Sequence, residues 1–313
     1  MRSTSVQNHY SGFSKVKLFL ALSRTPHGLL DMATPALCAV LWLGEFPAFK
    51  VIALGLVTAF SGYTAVYALN DIIDYRTDKE KIRQGGLSDS NRDLDAVIMR
   101  HPLAQDMMSY KESLFWTLGW ALLALIGAYQ LNPTCVLIFL IGCGLEVAYC
   151  LLLRVSYLRT AVSGAVKTSG GLAAVYAVDP NPSPFFLMIL FAWLFFWEIG
   201  GQNILNDSTD MEEDRRLNAR TVPLRFGLEK SRGMILLFLV FTVLLSGFIF
   251  RLSPIGFNLA FISACLLVGL FLLVIPAYRF CRDKQRRDAW NLFRRASCYP
   301  LTLLILVTLE LKT

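Results

Sequence analysis

The chain has 313 residues, of which 55% are hydrophobic and 17% are charged, and its formal net charge is +7. A soluble domain of this size would carry about a quarter charged residues, and here the apolar residues fall in long runs between short charged segments, so the composition excludes an ordinary soluble fold and predicts a polytopic membrane protein. The seven cysteines form no CxxC pair and no zinc-type cluster with histidine, and we expect them to be packing residues.

The chain begins with a polar stretch that is not followed by a signal-peptide cleavage site. We expect residues 1–26 to form a cytoplasmic N-terminal segment and residues 27–313 to form a single all-α domain. Because a bilayer core of about 30 Å needs roughly 20 apolar residues per helical crossing, the apolar runs predict a bundle of nine transmembrane helices around a central cavity. The nine segments are His27–Leu43, Val51–Leu69, Leu114–Leu131, Thr134–Leu153, Ala161–Val178, Pro184–Leu205, Gly233–Phe250, Phe257–Phe280 and Cys298–Leu311.

The fifth segment differs from the others because it is rich in Gly, Ala and Ser and contains Lys167. Small residues let neighbouring helix backbones approach closely, so this segment is predicted to be an interior helix. A lysine within the membrane is costly. We therefore expect Lys167 to face a polar cavity or a carboxylate, where it could contact a substrate anion, and the alternative is that it snorkels to the interface.

The basic residues predict the orientation of the bundle. Of the 30 Lys and Arg, all except Lys50, Lys167, Arg251 and Lys312 fall at the N-terminus or in loops on the same side of the membrane. By the positive-inside rule that side is cytoplasmic. The net charge is thus assigned to topology and to anionic lipid, and no nucleic-acid partner is expected.

The second and the sixth predicted helix both end in an acidic motif. Residues 70–78 read NDIIDYRTD and residues 206–214 read NDSTDMEED, so both spell NDxxDxxxD. At 100° per residue, the Asn and the three Asp of each motif fall on one helix face. Each motif could be a solvated helix end whose acids form local ion pairs, but the same pattern at two equivalent positions favours a shared site.

Two such faces opposed to each other would concentrate six carboxylates in a small volume. Their mutual repulsion and desolvation would be costly, and divalent cations would offset both. An all-oxygen ligand set favours magnesium, manganese or calcium over zinc, and magnesium typically bridges carboxylates to substrate phosphates. The two motifs therefore predict a metal-assisted diphosphate site.

Further segments of the chain are similar to motifs of one known family. Residues 220–227, RTVPLRFG, resemble a basic-Thr-x-Pro-x-Arg-x-Gly segment, and residues 100–104, RHPLA, resemble an Asn-Arg-Pro-Leu-Ala/Pro segment in which His101 stands where Arg is usual. Tyr149 to Tyr157, with Arg154 between them, resembles a Tyr…Lys-Arg segment. With the two acidic motifs, the chain resembles the UbiA-type family of intramembrane aromatic prenyltransferases.

The resemblance implies a mechanism. Two or three Mg²⁺ ions held by the motif carboxylates bind the diphosphate of an isoprenyl donor, whose allylic C–O bond ionises to a carbocation that an electron-rich aromatic acceptor attacks. The polyprenyl tail lies along the helices, open to the bilayer. The implied metal-binding and catalytic residues are Asp71, Asp74, Asp78, Asp207, Asp210 and Asp214. Asn70 and Asn206 are expected to orient these carboxylates or to touch the diphosphate.

A second group of residues is expected to bind the substrates. Tyr67 and Asn203 lie one turn deeper than the motifs and could line the pocket of the carbocation, although simple helix packing explains them equally well. Arginine offers a planar fork that clamps phosphate oxygens. The candidates for the diphosphate and for an acceptor anion are Arg24, Arg83, Tyr149, Arg154, Arg159, Lys167 and Arg220.

Parts of this pattern also fit other functions. The acceptor could be a quinone precursor such as 4-hydroxybenzoate or dihydroxynaphthoate, or a porphyrin, a glycerophosphate lipid or a phosphoribosyl compound. A cation transporter would also use aspartates, but transport sites usually lie near the midplane on interrupted helices. The pattern of a CDP-alcohol phosphotransferase is absent from the sequence.

Overall fold

The computed structural model describes residues 14–84 and 98–312, and within these ranges every regular element is helical. Residues 1–13 of the predicted N-terminal segment lie outside the described residues. The chain enters the bundle through two short helices, α1 (Lys15–Leu22) and α2 (Thr25–Asp31), and continues into α3 (Ala33–Leu43). Between α1 and α2, Arg24 adopts a left-handed conformation with φ of 44°, which turns the chain and directs its side chain into the bundle.

The remaining helices follow in chain order, and two of the long ones contain a π-helical turn. These turns are Ile199–Asn203, between α9 and α10, and Leu270–Val274, between α14 and α15. The helices are α4 (Phe49–Ile73), α5 (Tyr75–Arg83), α6 (Tyr110–Leu131), α7 (Pro133–Leu151), α8 (Arg159–Val178), α9 (Pro184–Glu198), α10 (Ile204–Thr209), α11 (Met211–Arg216), α12 (Val222–Phe226), α13 (Leu228–Leu252), α14 (Leu259–Gly269), α15 (Ile275–Asp283) and α16 (Arg286–Glu310).

The predicted all-helical membrane fold is confirmed, whereas the count of nine crossings is not. Seven helical stretches in the described ranges are long and apolar enough to cross a bilayer. The predicted segment His27–Leu43 is divided at Met32 between α2 and α3, so it forms no single long helix. The segment Ala161–Val178 is a continuous part of α8, but its Gly, Ser and Thr residues keep its hydropathy low. The seven stretches are Phe49–Ile73, Tyr110–Leu131, Pro133–Arg154, Pro184–Thr209, Leu228–Leu252, Leu259–Asp283 and Arg287–Glu310.

Helix α8 lies inside the bundle and packs against α3, α7 and α9. A Cβ atom added to Gly164 would lie 2.6 Å from a ring atom of Phe195, and one added to Gly171 would lie 2.4 Å from Leu194. Both neighbours belong to α9, so glycine at these positions allows the two helices to approach closely. Helix α4 packs against α6 and α7, and α16 returns to pack against α3. This arrangement leaves a cavity between α3, α4, α7 and α8.

Candidate active site

Each acidic motif forms a helix, a break and a second helix. Helix α4 ends at Ile73 and α5 begins at Tyr75, with Asp74 at the break; α10 ends at Thr209 and α11 begins at Met211, with Asp210 at the break. The sequence repeat is therefore also a structural repeat. Neither motif lies on one uninterrupted helix, because the helix is broken at the middle aspartate, although Asp71 and Asp78 still face the same side chain, His101.

The first motif closes around a histidine. The Nδ1 atom of His101 lies 3.3 Å from Oδ1 of Asp71 and 3.0 Å from Oδ2 of Asp78, and all three side chains are largely buried. One potential ligand atom from each of these residues lies within 4.8 Å of the other two. This spacing is compact enough for the three side chains to share one metal ion.

The charges of this cluster depend on one another. Burial lowers the pKa of His101, but the carboxylates of Asp78 and Asp71 outweigh it and raise this pKa to about 9. Burial raises the pKa of Asp78, but the adjacent imidazolium outweighs it, so the pKa of this carboxyl is lowered. In the absence of a metal, His101 is therefore a cation that neutralises the first motif.

Arginines neutralise the second motif in the same way. Arg100 Nη2 lies 3.3 Å from Oδ2 of Asp210 and 3.1 Å from Oε2 of Glu213. Arg159, at the start of α8, places Nη1 3.3 Å from Oδ1 of Asp207. Both guanidinium groups are buried, and burial of a charge requires such a partner.

The two motifs converge on one volume. Arg100 and His101 are consecutive residues, yet Arg100 pairs with the second motif and His101 with the first. Lys81 of α5 is close to carboxylates of both: burial lowers its pKa, but Asp78, Asp214 and Asp210 together raise it above the usual range. The two helix ends therefore meet, as a shared diphosphate site requires.

The raised pKa values of two further motif carboxyls, Asp74 and Asp214, indicate that like charges are crowded together. Burial and the neighbouring Asp78 carboxylate raise the pKa of Asp74. Burial, opposed by Lys81 and reinforced by Asp207 and Asp210, raises the pKa of Asp214 to about 7. Such values indicate carboxylates held closer together than their protein counter-ions can compensate.

This ligand set fits divalent cations with a preference for oxygen. Asp207 is buried, and its Oδ2 atom has no hydrogen-bond partner in the described part of the chain. A buried carboxylate oxygen without a partner is costly, and a metal ion would satisfy it. The aspartates thus meet the chemical requirement for magnesium.

A polar layer lies directly beneath the motifs. Asn70 donates from Nδ2 to Oε1 of Glu146 at 2.6 Å, and its Oδ1 accepts from Nη2 of Arg24 at 3.1 Å. The same guanidinium lies 3.4 Å from Asp71. Arg24, predicted to meet an acceptor anion, is thus anchored to the first motif.

A second polar cluster lies deeper in the membrane. Lys167 Nζ donates to Oδ2 of Asp31 at 2.6 Å and lies 3.3 Å from the hydroxyl of Tyr67, which also donates to Asp31. Glu198 Oε2 lies 4.0 Å from the lysine, and Ser163 donates to Glu198. Lys167 therefore faces a carboxylate inside the bundle, which is the first of the arrangements expected from the sequence.

The sixth predicted crossing contributes amide side chains to the same cavity. Asn203 donates to the hydroxyl of Tyr149 at 3.1 Å, and the guanidinium of Arg159 lies 4.0 Å from the centroid of the Tyr149 ring. Asn203, Gln202 and Asn206 all line the cavity. The π-helical turn inserts one residue, so Glu198 and Asn203 lie above each other on the same face.

The cavity joins these layers and has a volume of about 520 Å³. Its motif end is lined by Asn70 and Asn206, its middle by Tyr67, Lys167 and Glu198, and the opposite end mainly by apolar residues of α3, α4 and α8. A polar end that opens into an apolar channel suits an amphipathic ligand.

Three predicted diphosphate contacts lie apart from this constellation. Arg154 is half-exposed and pairs with Glu80. Arg220 donates from an exposed side chain to the carbonyl of Val155. Arg83 is exposed at the end of α5. None of the three lines the cavity.

The structure adds three residues that the sequence did not assign to the site: Asp31, Lys81 and Arg100. Lys81 follows Asp78 by three residues and so shares its helix face, which was a usable signal. Arg100 precedes His101 in the segment that resembles a family motif. Asp31 carries no such signal, because its contact with Lys167 joins residues distant in sequence. Arg159, a predicted phosphate clamp, lies at the second motif and pairs there with Asp207.

The sequence profile of the UbiA prenyltransferase family matches residues 32–299. A 4-hydroxybenzoate octaprenyltransferase of Shewanella denitrificans is 26% identical over 297 residues, which cover 92% of each chain. A 4-hydroxybenzoate geranyltransferase of Lithospermum erythrorhizon is 25% identical over 199 residues, covering 59% of this chain and 60% of the relative.

Solved structures share the fold at lower identity. A UbiA homologue from Aeropyrum pernix superposes with a TM-score of 0.72 at 16% identity, covering 92% of this chain and 98% of the other. A UbiA homologue from Archaeoglobus fulgidus bound to DMAPP and Mg²⁺ gives a TM-score of 0.69 at 16% identity, covering 94% of this chain and 99% of the other.

Proposed function

Because the chain belongs to the UbiA prenyltransferase family and is a membrane prenyltransferase, we propose that it transfers a polyprenyl group from an isoprenyl diphosphate to an aromatic acceptor in quinone biosynthesis. The observation that carries the proposal is the convergence of the two NDxxDxxxD motifs through Arg100, His101 and Lys81. That convergence gives the donor diphosphate one site with two sets of carboxylates.

We assign the metal site to the six motif aspartates, Asp71, Asp74, Asp78, Asp207, Asp210 and Asp214, with two or three Mg²⁺ ions. Bound Mg²⁺ supplies charge neutralisation for the diphosphate as its bond to the prenyl carbon breaks. The cations now paired with the motifs, above all Lys81, Arg100 and Arg159, are placed to exchange a carboxylate for a diphosphate oxygen when the site is loaded. These residues thus limit repulsion before and after loading.

The reacting carbon of the donor would lie just below the motifs, between Asn70 and Asn206. There the chain offers the rings of Tyr67 and Tyr149 and the amide of Asn203. The face of an aromatic ring attracts a cation without forming a covalent bond to it. These groups would therefore stabilise the allylic cation while the apolar wall excludes water from it.

We place the acceptor beside the cluster of Lys167, Tyr67 and Glu198. This cluster is the polar part of the cavity nearest to the reacting carbon, and hydroxyl groups of an electron-rich ring can hydrogen-bond there. Curated relatives carry names that specify 4-hydroxybenzoate, which supports an aromatic acceptor. An acceptor of another class on the same scaffold remains the alternative, and the acceptor panel below separates the two.

The test is transfer of labelled isoprenyl diphosphate by the full chain in membranes. The assay contains Mg²⁺ and a panel of acceptors that includes 4-hydroxybenzoate and 1,4-dihydroxy-2-naphthoate. Asp71→Asn and Asp207→Asn should each reduce kcat by at least about 100-fold, because each removes a metal-binding charge. Chelation of divalent ions should abolish transfer by the wild type.

Glu212→Gln is the matched control, since Glu212 is exposed on α11 and is neither one of the three aspartates of the motif nor a partner of Arg100. It should retain transfer. Full magnesium-dependent activity in either aspartate variant would refute the assignment of the site. Transfer to a porphyrin or a glycerophosphate, with none to any phenol, would favour the alternative acceptor.

A further inference from the structure

The cavity follows helix α4 along almost its whole length. Its lining includes a residue from every turn of α4 between Val51 and Asn70. At 1.5 Å per residue, these two positions are about 28 Å apart along the helix axis. The channel therefore reaches from the diphosphate site to the opposite end of the membrane helix.

Small side chains at several positions help to keep the channel open. Neighbouring helices contribute Ala and Gly residues to this lining beside larger apolar side chains. Representative positions on α3, α4, α6 and α8 are Ala39, Ala59, Gly62, Ala128, Ala174 and Ala177. Dense packing is the rule in protein interiors, so a continuous channel bordered by such residues is a built feature.

Gly55 occupies a distinctive place in this wall. It lines the cavity, and a Cβ atom built on it meets no atom within 4 Å. By contrast, a Cβ atom on Gly62 would already contact Phe139 at 3.6 Å. A larger side chain at position 55 would therefore extend into free channel space and obstruct it without a clash at its base.

A ligand is indicated independently at the motif end of the same channel. Asn203 is only 6% exposed, and its Oδ1 atom has no hydrogen-bond partner among the described residues. It also lines the cavity. A buried acceptor facing a cavity needs a partner, and the polar head of a bound substrate can supply one.

We propose that Gly55 sets the length of the prenyl donor, and that the channel takes chains of more than four isoprene units. This rests on the proposed function, which puts the donor diphosphate beside Asn70. An extended isoprene unit has four carbon–carbon bonds of about 1.5 Å and is thus about 5 Å long. Gly55 lies about 22 Å from Asn70 along α4, which corresponds to four units, and the channel continues beyond it to Val51.

The experiment measures donor binding, so it needs no acceptor. The full chain in nanodiscs with Mg²⁺ binds radiolabelled geranyl S-thiolodiphosphate, and unlabelled analogues with two, four and eight isoprene units displace it. In Gly55→Phe, the two-unit analogue should bind within about twofold of wild type. The eight-unit analogue should bind at least about tenfold more weakly, the scale on which a filled apolar pocket rejects extra carbon atoms.

Matched controls come from glycines that face away from the cavity. Gly144 on α7 and Gly119 on α6 are exposed, lie outside the lining, and have the same free space around a built Cβ atom. Phenylalanine at either position should change neither affinity. Gly55→Ala should resemble wild type, and Gly55→Leu should fall between Ala and Phe for the eight-unit analogue alone.

The outcomes are distinct. Unchanged eight-unit affinity in both Gly55→Leu and Gly55→Phe would overturn the inference, since the tail would then leave the channel before reaching Gly55. If Gly55→Phe also lost affinity for the two-unit analogue, the same two affinities would be compared in Gly55→Leu. Weaker binding of the eight-unit analogue alone would support the inference, and any other result would reject it. Failure of the wild type to bind any analogue in the presence of Mg²⁺ would instead refute the proposed function.

Discussion

At the residue scale, the molecule balances buried charge in local groups of opposite sign. The clearest case is Asp31, which is 2% exposed and faces Lys167, Tyr67 and His27. Neither the acid nor the lysine belongs to the acidic motifs. Removing one partner of a buried pair leaves an uncompensated charge, which costs about 3–5 kcal/mol, whereas replacing both partners together is far less costly.

Lys167→Met should therefore lower the thermal stability of the detergent-solubilised protein strongly. Asp31→Asn should lower it less, because Glu198 still lies 4.0 Å from Lys167 and the amide oxygen still accepts from Tyr67. The double variant should recover most of the loss caused by Lys167→Met. The measurement is thermal unfolding of all four proteins as a double-mutant cycle. Additive losses would show that the two side chains do not compensate each other.

This cluster also marks a limit of sequence interpretation. The need of Lys167 for a carboxylate was predictable from its place in an apolar segment. That the carboxylate is Asp31 was not, because 136 residues separate them and only the packing of α2 against the interior brings them together. Arg154 and Arg220 illustrate the converse, since their motif-like spacing gave no information on whether their side chains point inward.

At the element scale, the helices that form the site are interrupted at the site itself. The repeat of NDxxDxxxD predicted two equivalent helix ends, and the structure has them at Asp74 and Asp210. Helical periodicity alone did not predict the breaks or the π-helical turn at Ile199–Asn203, because neither changes the spacing of apolar residues by more than one position. Of the residues in the π-helical turn, Gln202 and Asn203 line the cavity.

Close packing of α8 against α9 is the element-scale feature most open to test. Gly164→Val would place side-chain atoms against the ring of Phe195 and force the helices apart, and overpacking of this kind costs about 1–3 kcal/mol. We expect a lower unfolding temperature and weaker donor binding, because α8 carries Arg159 and Lys167. Gly144→Val, on the exposed face of α7, is the control and should leave both unchanged. Equal behaviour of the two variants would contradict the close contact.

At the scale of the whole molecule, the arrangement separates the polar substrate head from the apolar tail along the membrane normal. Six aspartates and their cations lie at one end, and an apolar channel extends to the other. Such a division gives the enzyme two distinct ends. In the topology predicted from the sequence, almost all lysines and arginines lie on the side of the motifs, and the positive-inside rule places that side in the cytoplasm. We therefore expect the active site to face the cytoplasm.

Single cysteines in a cysteine-free background can test this orientation in sealed vesicles of known sidedness. Glu45→Cys lies between α3 and α4, at the end opposite the motifs, whereas Glu212→Cys lies on α11 beside them, and both native side chains are exposed. A membrane-impermeant maleimide added to right-side-out vesicles should label position 45 and reach position 212 only after lysis. The reverse pattern would put the motifs outside the cell, where the positive-inside rule does not place them, and equal labelling at both positions would mean that the bundle does not span the membrane as described.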